Sequence, residues 1–87
     1  PEIPIEVTEE NKFRIVEYLQ NEVEWGEGAR TVLDGIRMDY EDGWGLCRAS
    51  NTSPKLVTRY EARDERALDA IRARFEAAIR EAIDAVG

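Results

Sequence analysis

Asp34-Gly35-Ile36-Arg37-Met38-Asp39-Tyr40-Glu41-Asp42-Gly43-Trp44-Gly45-Leu46-Cys47-Arg48 is the stretch that decides the fold. Two Asp-Gly dipeptides bracket a run in which Ile36, Met38 and Tyr40 alternate with Arg37 and Asp39. Asp-Gly between alternating runs is a hairpin signal. A three-strand meander is expected, formed by Thr31-Val32-Leu33, Ile36 to Tyr40 and Trp44 to Arg48 and joined by two tight turns. Successive strand side chains point to opposite faces, so Ile36, Met38 and Tyr40 share one face and Arg37 and Asp39 the other.

Upstream, Ile3, Ile5 and Val7 alternate with Glu2, Pro4 and Glu6, a half-buried strand whose proline suits an edge. Thr8 can cap a following helix, with Glu9 and Glu10 in its first turn. Phe13, Val16, Leu19 and Val23 recur at helical spacing, and Gly26 and Gly28 end the run. Downstream, Lys55 to Glu61 reads as a further strand. Asp64 then caps a long helix with an apolar stripe through Leu68, Ile71, Phe75, Ile79 or Ala78, Ile83 or Ala82, and Val86, and its Glu and Arg residues form a solvated face. The predicted class is α+β in the order β-α-β-β-β-β-α, an antiparallel-rich sheet with both helices packed on one face. Trp44, Leu46 and Val57 cannot all join that face with their alternate neighbours, so the other face is expected to keep some apolar surface for another domain.

Eighty-seven residues make one domain, 1–87, with a thin core. A net charge of -7 argues against nucleic acid as partner, since gripping a phosphate backbone needs a broad basic surface. No run is long or apolar enough for a membrane span, and the expected location is cytoplasmic. The lone cysteine, Cys47, is expected to be buried and structural. There is no histidine, hence no Ser-His or Cys-His pair and no histidine metal ligand. Catalysis by this chain alone is not expected. The chain opens at Pro1 without an initiator Met, consistent with a piece of a longer protein or with processing.

The segment Arg48-Ala49-Ser50-Asn51-Thr52-Ser53-Pro54 joins two strands and is longer than either hairpin turn. It gathers a guanidinium, three hydroxyls, an amide and backbone N–H groups. Such a loop suits an anion, phosphate above all. The same residues also make ordinary Asx and Ser/Thr turns, and composition leaves both readings open. Arg37 and Arg59 either extend this positive patch or, as expected, form surface ion pairs. Trp25 and Trp44 are expected to pack in the core or against another domain rather than under a sugar. Asp39, Glu41 and Asp42 read as a solvated strand end, not a metal site.

The run Gly43 to Pro54, with Leu33-Asp34-Gly35 before it and Arg59-Tyr60-Glu61-Ala62 after it, resembles the C-terminal domain of the alpha-D-phosphohexomutases. Within that family it is most similar to the bacterial phosphomannomutase/phosphoglucomutase branch. Glu2 to Ile5 and Glu24 to Gly28 fit too, so the likeness covers essentially the whole chain. It implies a TBP-like α+β fold and a four-domain parent enzyme of which this is the last domain. The parent would interconvert hexose 1-phosphate and 6-phosphate through a hexose 1,6-bisphosphate, with magnesium held elsewhere. The motif Arg-x-Ser-Asn-Thr would grip the substrate phosphate that is not being transferred: Arg48 as ionic anchor, Ser50 and Thr52 as hydroxyl donors, Asn51 as amide donor, Ala49 through its backbone. Asn51 and Ser53 depart from the Ser-Gly-Thr-Glu-Pro pattern that phosphoglucosamine mutases resemble here. The family's phosphoserine, magnesium loop and sugar-reading loop have no counterpart, so Ser50 and Ser53 are not nucleophiles. The expected partners are a glucose or mannose phosphate and the parent's other domains. The rival reading is a non-catalytic interaction module that binds a protein on the open sheet face.

Overall fold

The alternating runs pair into a single sheet. The computed structural model describes residues 2–87, with the elements β1 (Ile3–Glu6), α1 (Lys12–Asn21), β2 (Ala29–Thr31), β3 (Ile36–Tyr40), β4 (Gly43–Ala49), β5 (Lys55–Ala62) and α2 (Glu65–Val86). The strand order is β1-β5-β4-β3-β2 and every pairing is antiparallel. Both helices cover one face, and the core joins Ile36, Met38, Cys47, Leu56 and Tyr60 from the sheet to Ile15, Leu19, Ile71, Phe75 and Ile79 from the helices. The order and class are those the sequence predicts.

Phe75 of α2 locks this packing. Its ring is fully buried, lies 4.5 Å from the Trp25 ring centroid and meets Tyr60 edge-on at 5.5 Å. The ring rests on Gly45, where an added Cβ would stand 2.5 Å from Phe75 Cε1. The missing side chain at residue 45 is therefore the socket for the phenyl ring. Burying such a ring contributes about 2–3 kcal/mol.

Three local expectations are corrected. The helix α1 starts at Lys12: Thr8 Oγ1 accepts from the Asn11 N–H at 3.1 Å, so Thr8 caps the turn that leads into the helix, and Glu9 and Glu10 lie in that turn. Its buried stripe is Lys12, Ile15, Val16 and Leu19, whereas Phe13 is 58% exposed. The helix also stops at Asn21, leaving the buried Val23 in an irregular segment that swings Trp25 into the core. Side chains then satisfy its terminal carbonyls: Trp25 Nε1 donates to Leu19 O at 2.8 Å and Arg30 Nη1 to Gln20 O at 3.1 Å. Periodicity alone cannot register these tertiary partners.

The hairpins differ from the sequence reading too. Thr31 pairs with Arg37, so the first turn is a wide loop over residues 32–35, not a tight Asp-Gly turn, and Leu33 projects from it 95% exposed. Gly35 is needed there twice over: its φ is +86°, and a Cβ would meet Cys47 O at 2.2 Å. In the second hairpin Tyr40 pairs with Gly43, making Glu41-Asp42 the turn. Gly43 already belongs to β4, where a Cβ would strike the β5 backbone at Glu61 O, 2.3 Å away.

The face away from the helices carries Trp44, Leu46 and Val57, each half-buried, among charges. Arg37 stacks on Trp44 at 4.4 Å and makes two hydrogen bonds of 3.0 Å to Asp39. That bonded guanidinium holds the Asp39 carboxyl below the usual carboxylate range. Arg59 pairs with Glu2 at 3.6 Å. Both arginines thus form the expected ion pairs, Trp25 is core, and Trp44 is covered by a cation.

Gly45→Ala is expected to cost about 2–3 kcal/mol in urea denaturation, and Phe75→Leu in the same chain should recover part of that loss in a double-mutant cycle. Independent costs that simply add would contradict the socket. Cys47 is fully buried, and burial pushes its thiol from 9.0 up to about 12. Because the unfolded thiol ionises first as pH rises, the stability Cys47 contributes is present below pH 9 and is lost as pH climbs toward 12. Labelling of the native thiol at pH 8 should run at least a hundredfold slower than in denaturant, a rate that Ellman's reagent measures directly.

Candidate functional site

The site lies where β4 leaves the sheet and the chain turns back into β5. Arg48 and Ala49 are still strand residues, paired with Val57 and Leu56. Alternation sends Ala49 to the core face, where it is 8% exposed, and Arg48 to the opposite face. Gly35 abuts Arg48, since a Cβ on it would lie 2.8 Å from Arg48 Cα and Cβ, so the 32–35 loop and the Arg48 strand end are in direct contact.

The link 50–54 is ordered by its own polar groups. Ser50 N–H donates to Lys55 O at 3.0 Å, extending the ladder past the strand end. Ser50 is 8% exposed, and its Oγ accepts from the Thr52 and Ser53 N–H groups at 3.3 and 3.2 Å. The Ser50 hydroxyl thus organises the loop as an acceptor and keeps one proton to donate. Backbone N–H groups are correspondingly scarcer than composition suggested, because those of Ser50, Thr52 and Ser53 are all engaged internally. Asn51 and Thr52 point their side chains to solvent.

Two carbonyls of the loop, those of Ser53 and Pro54, are bonded to the protein. Pro54 O accepts from Val7 N–H at 3.0 Å, and Ser53 O accepts from Lys55 N–H at 2.8 Å and from Lys12 Nζ at 3.1 Å. The half-buried Arg48 brings a guanidinium to this end of the sheet, and the exposed Asn51 and Thr52 bring an amide and a hydroxyl, while the Ser50 hydroxyl is nearly buried. Arg48 forms no ion pair among the described residues, although the chain holds 19 acidic residues against 12 basic ones. Next to Asn51 opens a hollow of about 300 Å³ bordered by Phe13, Gln20, Leu33 and Gly35.

Lys12 is the residue that sequence reasoning missed. Its side chain is 1% exposed, and its ammonium also bridges to Glu9 Oε1 at 2.6 Å. The signal was present: Lys12 falls in phase with Ile15, Val16 and Leu19, a charged residue within an apolar stripe. Among the described residues no three His, Cys, Asp or Glu side chains converge to hold a metal ion. No helix among them is long and apolar enough to cross a membrane.

Residues 2–78 match the family described as "Phosphoglucomutase/phosphomannomutase, C-terminal domain". The chain is 57% identical over 75 residues to a phosphomannomutase/phosphoglucomutase of Pseudomonas aeruginosa, covering 86% of this chain and 16% of that protein. It is 53% identical over 72 residues to the phosphomannomutase/phosphoglucomutase of Pseudomonas putida, covering 83% and 16%. A crystal structure of a phosphoglucomutase/phosphomannomutase family protein from Burkholderia thailandensis superposes with a TM-score of 0.81 at 32% identity, over 94% of this chain and 17% of that one. The chain therefore spans about a sixth of the length of these relatives. With the match running through α1, all five strands, the Arg48 loop and the first part of α2, the chain belongs to the phosphoglucomutase/phosphomannomutase family and corresponds to its C-terminal domain.

Proposed function

We propose that this chain is the phosphate clamp of a phosphohexomutase: Arg48, the Ala49 backbone, Ser50, Asn51 and Thr52 hold the phosphate of a hexose phosphate that is not being transferred. The observation that carries this reading is Arg48 left without a carboxylate partner among the described residues, beside the exposed Asn51 and Thr52 of a loop whose Ser53 and Pro54 carbonyls are bonded inward. A phosphate monoester carries about -1.5 to -2 charges and several acceptor oxygens. Arg48 would supply the counter-charge through a two-pronged donor, and charge-assisted bonds of about 1.5–3 kcal/mol each would hold the anion against water.

The relatives' names, phosphomannomutase and phosphoglucomutase, supply the substrate class: glucose or mannose 1- and 6-phosphates. Interconverting these through a hexose 1,6-bisphosphate requires the intermediate to turn around between two transfers, so the clamp must accept either phosphate. Donors matched to a phosphate rather than to one sugar face permit that. Gripping the remote phosphate places the reacting one, so binding energy is used for orientation. As the last of four domains, this one would close over the cleft and exclude water. The phosphoryl-transfer groups and magnesium would come from the other domains.

Titrating glucose 1-phosphate into the isotope-labelled chain is expected to shift the amides of Ser50, Asn51 and Thr52 with a dissociation constant on the order of millimolar, as suits one exposed site without its neighbours. Arg48→Ala should weaken this at least tenfold while changing stability by no more than about 0.5 kcal/mol. Shifts confined to the open sheet face would instead favour the interaction-module reading. The 87-residue chain alone is expected to turn over no glucose 1-phosphate in a coupled assay, and measurable turnover by pure material would contradict the division of labour.

A further inference from the structure

The buried ammonium of Lys12 has no evident structural necessity. Ser53 O already receives the Lys55 N–H at 2.8 Å, so without Lys12 that carbonyl would still have a partner. The position lies in the apolar stripe of α1 with Ile15, Val16 and Leu19, where methionine or leucine would pack without the cost of taking a charge out of water. The lysine is instead kept at 1% exposure, bonded to Ser53 O at 3.1 Å and paired with Glu9, itself largely exposed, at 2.6 Å.

We propose that Lys12 is the positioning residue of the phosphate clamp, a role that rests on the clamp reading above. Its ammonium draws the Ser53 carbonyl down into the protein from the opposite side of the loop to any bound anion. Val7 N–H does the same for Pro54 O. With both acceptors pulled inward, the segment between Ser50 and Ser53 is kept in the turn that Ser50 Oγ closes, and neither of these two carbonyls competes with the anion for the loop's donors. Lys12 touches no substrate in this scheme; it acts through Ser53.

The test compares inorganic phosphate binding to the wild-type chain, Lys12→Met and Lys12→Arg, following the Asn51 and Thr52 amides by NMR, with amide exchange of Thr52 and Ser53 measured against that of core residues such as Cys47 and Leu56. Lys12→Met is expected to weaken phosphate at least tenfold and to speed loop exchange while core exchange is unchanged. Lys12→Arg, long enough to reach the Ser53 carbonyl with a charged donor, should recover affinity to within about threefold of wild type. Should Lys12→Met fail to fold, Lys12→Gln, shorter and neutral, takes its place and must weaken binding at least fivefold. Equal affinity in wild type and the donor-less variant overturns the role of Lys12 and leaves the clamp standing. Absence of any phosphate response in the wild-type chain overturns the clamp and this role together. Loss of affinity that Lys12→Arg does not recover overturns it as well.

Discussion

The seating of the Phe75 ring on the bare backbone of Gly45 is the contact on which the rest of the domain depends. A chain of 87 residues has little apolar surface to bury, so the long helix must lie close to the sheet. It does so because the central strand has no side chain at that point. Trp25 and Tyr60 close around the same ring and tie in the segment after α1 and the strand β5. Tyr40 and Arg74 then both donate to Trp25 O, at 2.8 and 3.1 Å, so that sheet, connector and second helix are bonded at one place.

From that fixed centre, β4 runs out to the site. Gly45, Cys47 and Ala49 face the helices, which forces Arg48 to the other face, and register with β5 sets where the chain must turn. The loop is then held by contributions far apart in sequence, Val7 after β1 and Lys12 at the start of α1, while Gly35 from the first hairpin loop abuts the strand end at Arg48. A loop tied at that many points loses little freedom when it takes a ligand, and pre-organisation of this sort is worth more to affinity than an additional flexible contact.

The same geometry bears on the proposed clamp, which asks an acidic chain to hold an anion. Net charge governs long-range attraction, and here it opposes phosphate. Under the proposed reading local donors would decide the bound state, with a guanidinium left without a carboxylate. The opposite arrangement holds on the open sheet face, where Arg37 and Arg59 are engaged by Asp39 and Glu2. Of the three arginines on that face of the central strands, only the one at the loop is left for an anion among the described residues.

The sequence by itself determined the order of elements, the faces of β3 and the capping of α2 by Asp64, whose side chain accepts from Ala67 N–H at 2.8 Å. These follow from periods of two and of 3.6 and from local capping chemistry, all of which act between near neighbours. The donors of Arg48 to Thr52 were visible as a contiguous cluster, although their composition left an ordinary turn equally open. Tertiary structure decided the rest. It placed Phe13 outside and Lys12 inside, a shift of one residue in the buried stripe that no count of apolar residues separates from its neighbour. It turned Asp34-Gly35 from a tight turn into the end of a wider loop against Arg48, and it spent the N–H groups of Ser50, Thr52 and Ser53 within the loop. Those outcomes depend on partners tens of residues away, and only the folded chain brings them together.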